Sequence, residues 1–109
     1  MTDAPLMAAI LDSLKSPLLF ADTTHRIRYM NAAALVHYAG GEKLLGTSVL
    51  DCHNAESQRI MGEILVAMRE GEDERLITES EEYRVYMRAV RGPEGNLLGY
   101  YERYEPRGD

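Results

Sequence analysis

Residues 17–46 read PLLFADTTHRIRYMNAAALVHYAGGEKLLG, and the order of residue types in this stretch decides the architecture. An apolar run, Leu18 to Ala21, stops at Asp22, and Thr23-Thr24-His25 supply a polar turn. The next run, Arg26-Ile27-Arg28-Tyr29-Met30, alternates charged with apolar residues. Period two predicts a strand with Ile27 and Tyr29 on one face and Arg26 and Arg28 on the other. Two such strands joined by a few turn residues make a hairpin. Asn31 then suits a helix N-cap before Ala32-Ala33-Ala34-Leu35-Val36, because its side chain accepts from amides that have no partner in the first turn. Leu45-Gly46 closes the segment.

Upstream, Asp3 is placed to cap a helix over 3–15 with Pro5 in its first turn, where proline is tolerated, and Pro17 lies beyond its end. Leu6, Met7, Ile10, Leu11 and Leu14 form one apolar stripe at helical spacing. The stripe covers either its own domain or a second copy of the chain. Downstream, Thr47 to His53 is a turn of helix or a loop. Asn54 caps a longer helix in which Ser57, Ile60, Met61, Ile64, Leu65 and Met68 follow the i, i+3, i+4, i+7 rule, and Gly71 ends it. Three strands complete the chain: Glu74 to Glu79; Tyr83 to Arg91, with Val85, Met87 and Ala89 on one face; and Leu97 to Tyr104 after the bend Gly92-Pro93-Glu94-Gly95.

The hairpin-helix opening resembles the start of a PAS domain, a sensory fold. That family's opening is an apolar strand ending in Asp, then Arg-Ile-x-Tyr-x-Asn-x-Ala, then a Gly closing a pair of short helices. Asp22, Ile27, Tyr29, Asn31, Ala33, Leu45 and Gly46 occupy those positions. The segment 91–99 is similar to the closing hairpin of the same family, so the resemblance extends over about 5–104. It implies an α+β fold: a five-stranded antiparallel sheet covered on one face by short helices and one long helix, preceded by an N-terminal amphipathic helix. The domain expected is a single one over 1–109, with its core at 17–104. Gly46-x-Ser48-Val49-x-x-Cys52-His53 also resembles a bacterial PAS subset in which the Cys-His pair recurs.

Composition sets limits of its own. The 109 residues suffice for one domain, and 45% hydrophobic residues suffice for a core. A net charge of −6 argues against nucleic-acid binding, which needs clustered Lys and Arg. No run of about 18 apolar residues is present to span a membrane. A single Cys and an acidic N-terminal stretch lead to the expectation of a reducing, cytoplasmic setting.

Chemistry has few carriers here. No phosphate-binding glycine loop, Ser-His-Asp set or metal-binding His spacing appears, so no enzyme is expected. In the family resemblance, Cys52 and His53 lie where PAS domains line a ligand cavity. His53 is then a candidate haem ligand, the only circumstance in which a metal is expected. The flavin-binding subset instead carries Asn-Cys-Arg-Phe-Leu-Gln, which Thr47-Ser48-Val49-Leu50-Asp51-Cys52 does not match. Cys52 is also a candidate redox sensor, since a thiol beside a helix N-terminus reacts more readily. Against these stands a plain packing role for both residues.

The expected ligand-facing set is Tyr29, Cys52, His53, Met61, Ile64, Met68, Val85, Met87 and Tyr101, lining either a cavity or a filled core. Leu6, Met7, Ile10 and Leu14 are the expected homodimer contacts. The functional expectation is a signalling module that binds a small ligand or senses redox state and acts on a protein partner or effector. A ligand-free dimerisation domain is the alternative.

Overall fold

The computed structural model describes residues 3–107, so the outermost two positions at each end of the expected domain lie outside it. Helix α1 (Ala4–Asp12) starts at the Asp3 cap, whose carboxylate accepts from the Leu6 amide. It stops three residues short of the expected end. The Ser13 hydroxyl donates to the Ile10 carbonyl, which diverts the helical ladder. Asp12 turns to accept from the Ala32 amide and the Tyr29 hydroxyl.

Strands β1 (Leu19–Asp22) and β2 (Ile27–Met30) form the hairpin. Its turn is tied by Asp22, whose carboxylate accepts from the Thr24 amide and hydroxyl, the Arg26 amide and the Arg28 guanidinium. Burial alone would raise the Asp22 pKa; these hydrogen bonds hold it well below the ordinary carboxylate range.

The hairpin also corrects the expected sidedness of β2. Leu19 pairs with Met30, Phe20 with Tyr29 and Ala21 with Ile27, so Arg28 is an extra residue in a bulge. The extra residue moves Tyr29 to the face opposite Ile27, beside Phe20.

Helix α2 (Ala32–His37) is capped by Asn31 as expected. Two 3₁₀ turns follow, Gly41–Leu44 and Val49–Cys52, and then α3 (Ala55–Arg69) begins at the Asn54 cap. Strands β3 (Glu74–Glu79), β4 (Tyr83–Arg91) and β5 (Leu97–Pro106) complete a five-stranded antiparallel sheet in the order β2-β1-β5-β4-β3. Strand β5 runs two residues past its expected end because Tyr83 and Arg84 pair with Pro106 and Glu105. Gly99 lets β5 close on β1: a Cβ there would stand 2.1 Å from the Ala21 carbonyl oxygen.

The core lies between one sheet face and the helices that follow β2. Leu19, Ala21, Ile27, Met30, Met87 and Tyr100 meet Met61, Ile64, Leu65 and Met68 of α3, with Ala34 and Val49 filling in. Arg91 on β4 donates to the carbonyls of Met68 and Glu72, satisfying acceptors at the end of α3. Helix α1 contributes no buried residue; only its C-terminal end is tied to the domain.

Candidate functional site

The sheet pairing decides which side chains face inward. Leu19 and Met87 flank Glu102, while Phe20 and Arg88 flank Tyr101. Tyr100, Glu102 and Tyr104 therefore share the inner face of β5, and Tyr101 points outward. Between the inner face of the sheet, Tyr38 at the end of α2, the two 3₁₀ turns and His53, just ahead of the α3 cap, lies a cavity of about 300 Å³. Leu19, Ile27, Leu44, Val49, Ile77 and Val85 make it apolar; Tyr38, Cys52, His53, Thr78, Glu102 and Tyr104 bring the polar groups.

The polar groups concentrate at the sheet. Glu102 is 8% exposed, although both of its cross-strand neighbours, Leu19 and Met87, are apolar and buried. A buried carboxylate needs donors. One comes from Tyr38, the residue that ends α2, whose hydroxyl lies 3.0 Å from Glu102 Oε2. The Tyr104 hydroxyl lies 2.8 Å from that of Tyr38. Burial, followed by the neighbouring Glu102 carboxyl, drives the Tyr38 pKa far above the ordinary phenol range, and burial also raises that of Tyr104. Both hydroxyls thus keep their protons at neutral pH. The bonding runs in one direction: Tyr104 donates to Tyr38, and Tyr38 donates to Glu102. Among the described residues no donor reaches Glu102 Oε1, and that oxygen keeps some accessible surface.

Of the expected ligand-facing residues, only Cys52, His53 and Val85 line this cavity. Cys52 is exposed and His53 half-buried, so the pair marks the cavity's rim. Met61, Ile64, Met68 and Met87 are buried in the packed core beside it; Met61 and His53 also border a smaller hollow of about 80 Å³ with Ile77 and Thr78. Tyr29 and Tyr101 are elsewhere. With Leu11, Leu18, Phe20 and Val90 they line an apolar groove of about 310 Å³ on the outer face of the sheet. The bulge at Arg28 and the register of β5 put them there.

Tyr38, Glu102 and Tyr104, which sequence reasoning does not single out, are the chemically distinctive members of the site. Their signal is faint: Tyr100, Glu102 and Tyr104 share one period-two face, but Tyr101, Arg103 and Glu105 make an equally plausible one.

The lining does not fit haem. The imidazole of His53 stands at the rim, the interior carries a carboxylate, and no Lys or Arg lines the cavity to hold the propionates. Among the described residues, no group of three His, Cys, Asp or Glu could hold a metal ion, and no helix is long and apolar enough to cross a membrane.

Comparison with known proteins agrees with this architecture. The C-terminal domain of a Streptococcus mutans protein superposes with a TM-score of 0.77 at 20% identity, covering 96% of this chain and 85% of that one. The PAS domain of Bordetella pertussis BvgS gives 0.67 at 17% identity, with 96% and 86% covered. A sensory box sensor histidine kinase from Vibrio cholerae gives 0.64 at 14% identity, with 96% and 91% covered. No curated protein matches the sequence significantly. The sequence family described as PAS domain, a type generally sensory rather than catalytic, matches residues 7–105. With that match spanning nearly the whole of a sheet ordered β2-β1-β5-β4-β3, the chain belongs to the PAS domain family.

Proposed function

We propose that this chain is a sensory or regulatory module that takes a small organic ligand into the cavity beneath α2 and passes the change to a protein partner. The carrying observation is the cavity itself: about 300 Å³, apolar-walled, with three interlocked polar side chains at one end. That volume is at the lower end of small-molecule sites, and a few fixed polar groups in an apolar wall are their usual make-up. The sheet provides a route outward, because β5 bears the polar cluster on one side and Tyr101 of the outer groove on the other. A single cysteine supports a reducing, cytoplasmic setting.

Mass spectrometry of the purified protein, native and then denatured, tests the reading together with a thermal-shift screen of metabolites. A stoichiometric small molecule released on denaturation, or a melting temperature that climbs with ligand concentration, is expected. A protein that releases nothing and responds to no library member is a packing module, and the ligand reading fails.

A second reading has its own support. Leu6, Met7 and Ile10 on α1 and Leu14, two residues beyond its end, are 44% to 55% exposed, an apolar stripe with no cover in the monomer. Homodimerisation through α1 would bury it, and this is compatible with a ligand in the cavity.

A further inference from the structure

We infer that the cavity is built for a small organic cation, an ammonium group carried on an apolar body; the inference rests on the reading of the cavity as a ligand site. Glu102 is more than nine-tenths buried, and its cross-strand neighbours Leu19 and Met87 offer no hydrogen bond. Its one donor is Tyr38 on Oε2; no described residue donates to Oε1, which keeps some accessible surface. With Tyr104 donating to Tyr38, the two phenol protons are spent, while the Tyr104 oxygen retains its lone pairs.

Around Glu102 the acceptors therefore outnumber the donors; the remaining polar groups of the lining, Thr78 on β3 and Cys52 and His53 at the rim, belong to other parts of the wall. No lining residue is Lys or Arg. Arg103, next in sequence to Glu102, points to the other face, where Glu74 and Glu105 hold it. An anionic ligand would meet an uncompensated carboxylate, and a neutral apolar one would leave Oε1 unsatisfied. An alkylammonium answers both needs: its N–H groups donate to Glu102 Oε1 and the Tyr104 oxygen, and its hydrocarbon body lies against Leu19, Ile27 and Val85.

Three probes with the same ring but different charge decide the matter: cyclohexylmethylamine, cyclohexylmethanol and cyclohexanecarboxylate, titrated calorimetrically into the whole chain at neutral pH. The amine should bind at least about tenfold more tightly than the alcohol, and the carboxylate least, as expected of a charge-assisted bond in a buried site. Glu102→Gln should bring the amine to the level of the alcohol. If that variant does not fold, the charge series on the unaltered protein still decides.

Equal binding of amine and alcohol overturns the cation while the cavity reading stands. Preference for the carboxylate overturns it as well, and so does indifference to all three. The mass-spectrometric and metabolite experiment judges the cavity reading separately.

Discussion

Asn31 ties together three separate parts of the chain through one side chain. It is completely buried, and all four of its amide hydrogen-bonding positions are filled. Oδ1 accepts from the amides of Ala34 and Leu18, each at 2.9 Å; Nδ2 donates to the carbonyls of Leu11 at 3.0 Å and Ser16 at 3.1 Å. One side chain thereby joins the end of α1, the approach to β1 and the start of α2. Replacing it with Ala leaves four backbone groups without partners, so Asn31→Ala should lower the unfolding free energy by about 3 kcal/mol or more. Urea denaturation with an unchanged m-value measures this; a loss below about 1 kcal/mol would show that water replaces the amide without penalty.

Only the bond from Ala34 is local enough to be visible in sequence, as the N-cap. The other three join residues distant along the chain. Glu102 was hidden for a related reason: in Tyr100-Tyr101-Glu102-Arg103-Tyr104 aromatic residues occupy both period-two faces. Only pairing with β1 and β4 distinguishes inside from outside.

Among the elements, the β1–β2 hairpin holds a titration near neutral pH whose effect on stability has a definite sign. His25 sits in its turn with φ 65°, a left-handed conformation, and its Nδ1 lies 2.8 Å from the hydroxyl of buried Tyr100. Burial above all, then the Arg69 guanidinium, lowers the His25 pKa, against an opposing pull from Asp22. Just below the ordinary histidine value of about 6.5 the unfolded chain therefore binds more protons than the folded one. The stabilisation is complete above that pH and declines as pH falls through it. His25→Asn tolerates the left-handed turn and removes the titration. The urea midpoint of the unaltered protein should fall between about pH 7 and pH 5, and that of the variant should fall less. Parallel pH profiles would exclude His25 as the source.

Element positions were largely open to sequence reading, since helical and strand periodicities persist through α3 and β4 with little interruption. The bulge at Arg28 was not, because one inserted residue leaves the alternating pattern intact while reversing the face it predicts.

At the scale of the whole molecule, the two faces of the sheet offer different surfaces. The inner face holds the core and cavity; the outer face has the groove lined by Leu11, Phe20, Tyr29, Val90 and Tyr101, beside the uncovered stripe of α1. If α1 mediates self-association, Ile10→Glu should convert a dimer to a monomer in sedimentation velocity at tens of micromolar. Its effect on monomer stability should stay within about 0.5 kcal/mol, because Ile10 is 51% exposed. A monomeric parent protein, or a dimer indifferent to the substitution, would leave the stripe without that role.

The strand order also governs when the molecule can become itself. β1 and β2 are made early, yet β1 is completed on its other side by β5, Leu97–Pro106, almost the whole chain later. A ribosome therefore releases the hairpin long before its partner strand exists. During that interval the bare edge of β1 is open to any neighbouring strand, including that of another nascent copy. The glycine that later admits β5 so closely against Ala21 belongs to the last strand to arrive. Birth order, as much as final stability, thus sets the period in which this protein is most exposed to mispairing.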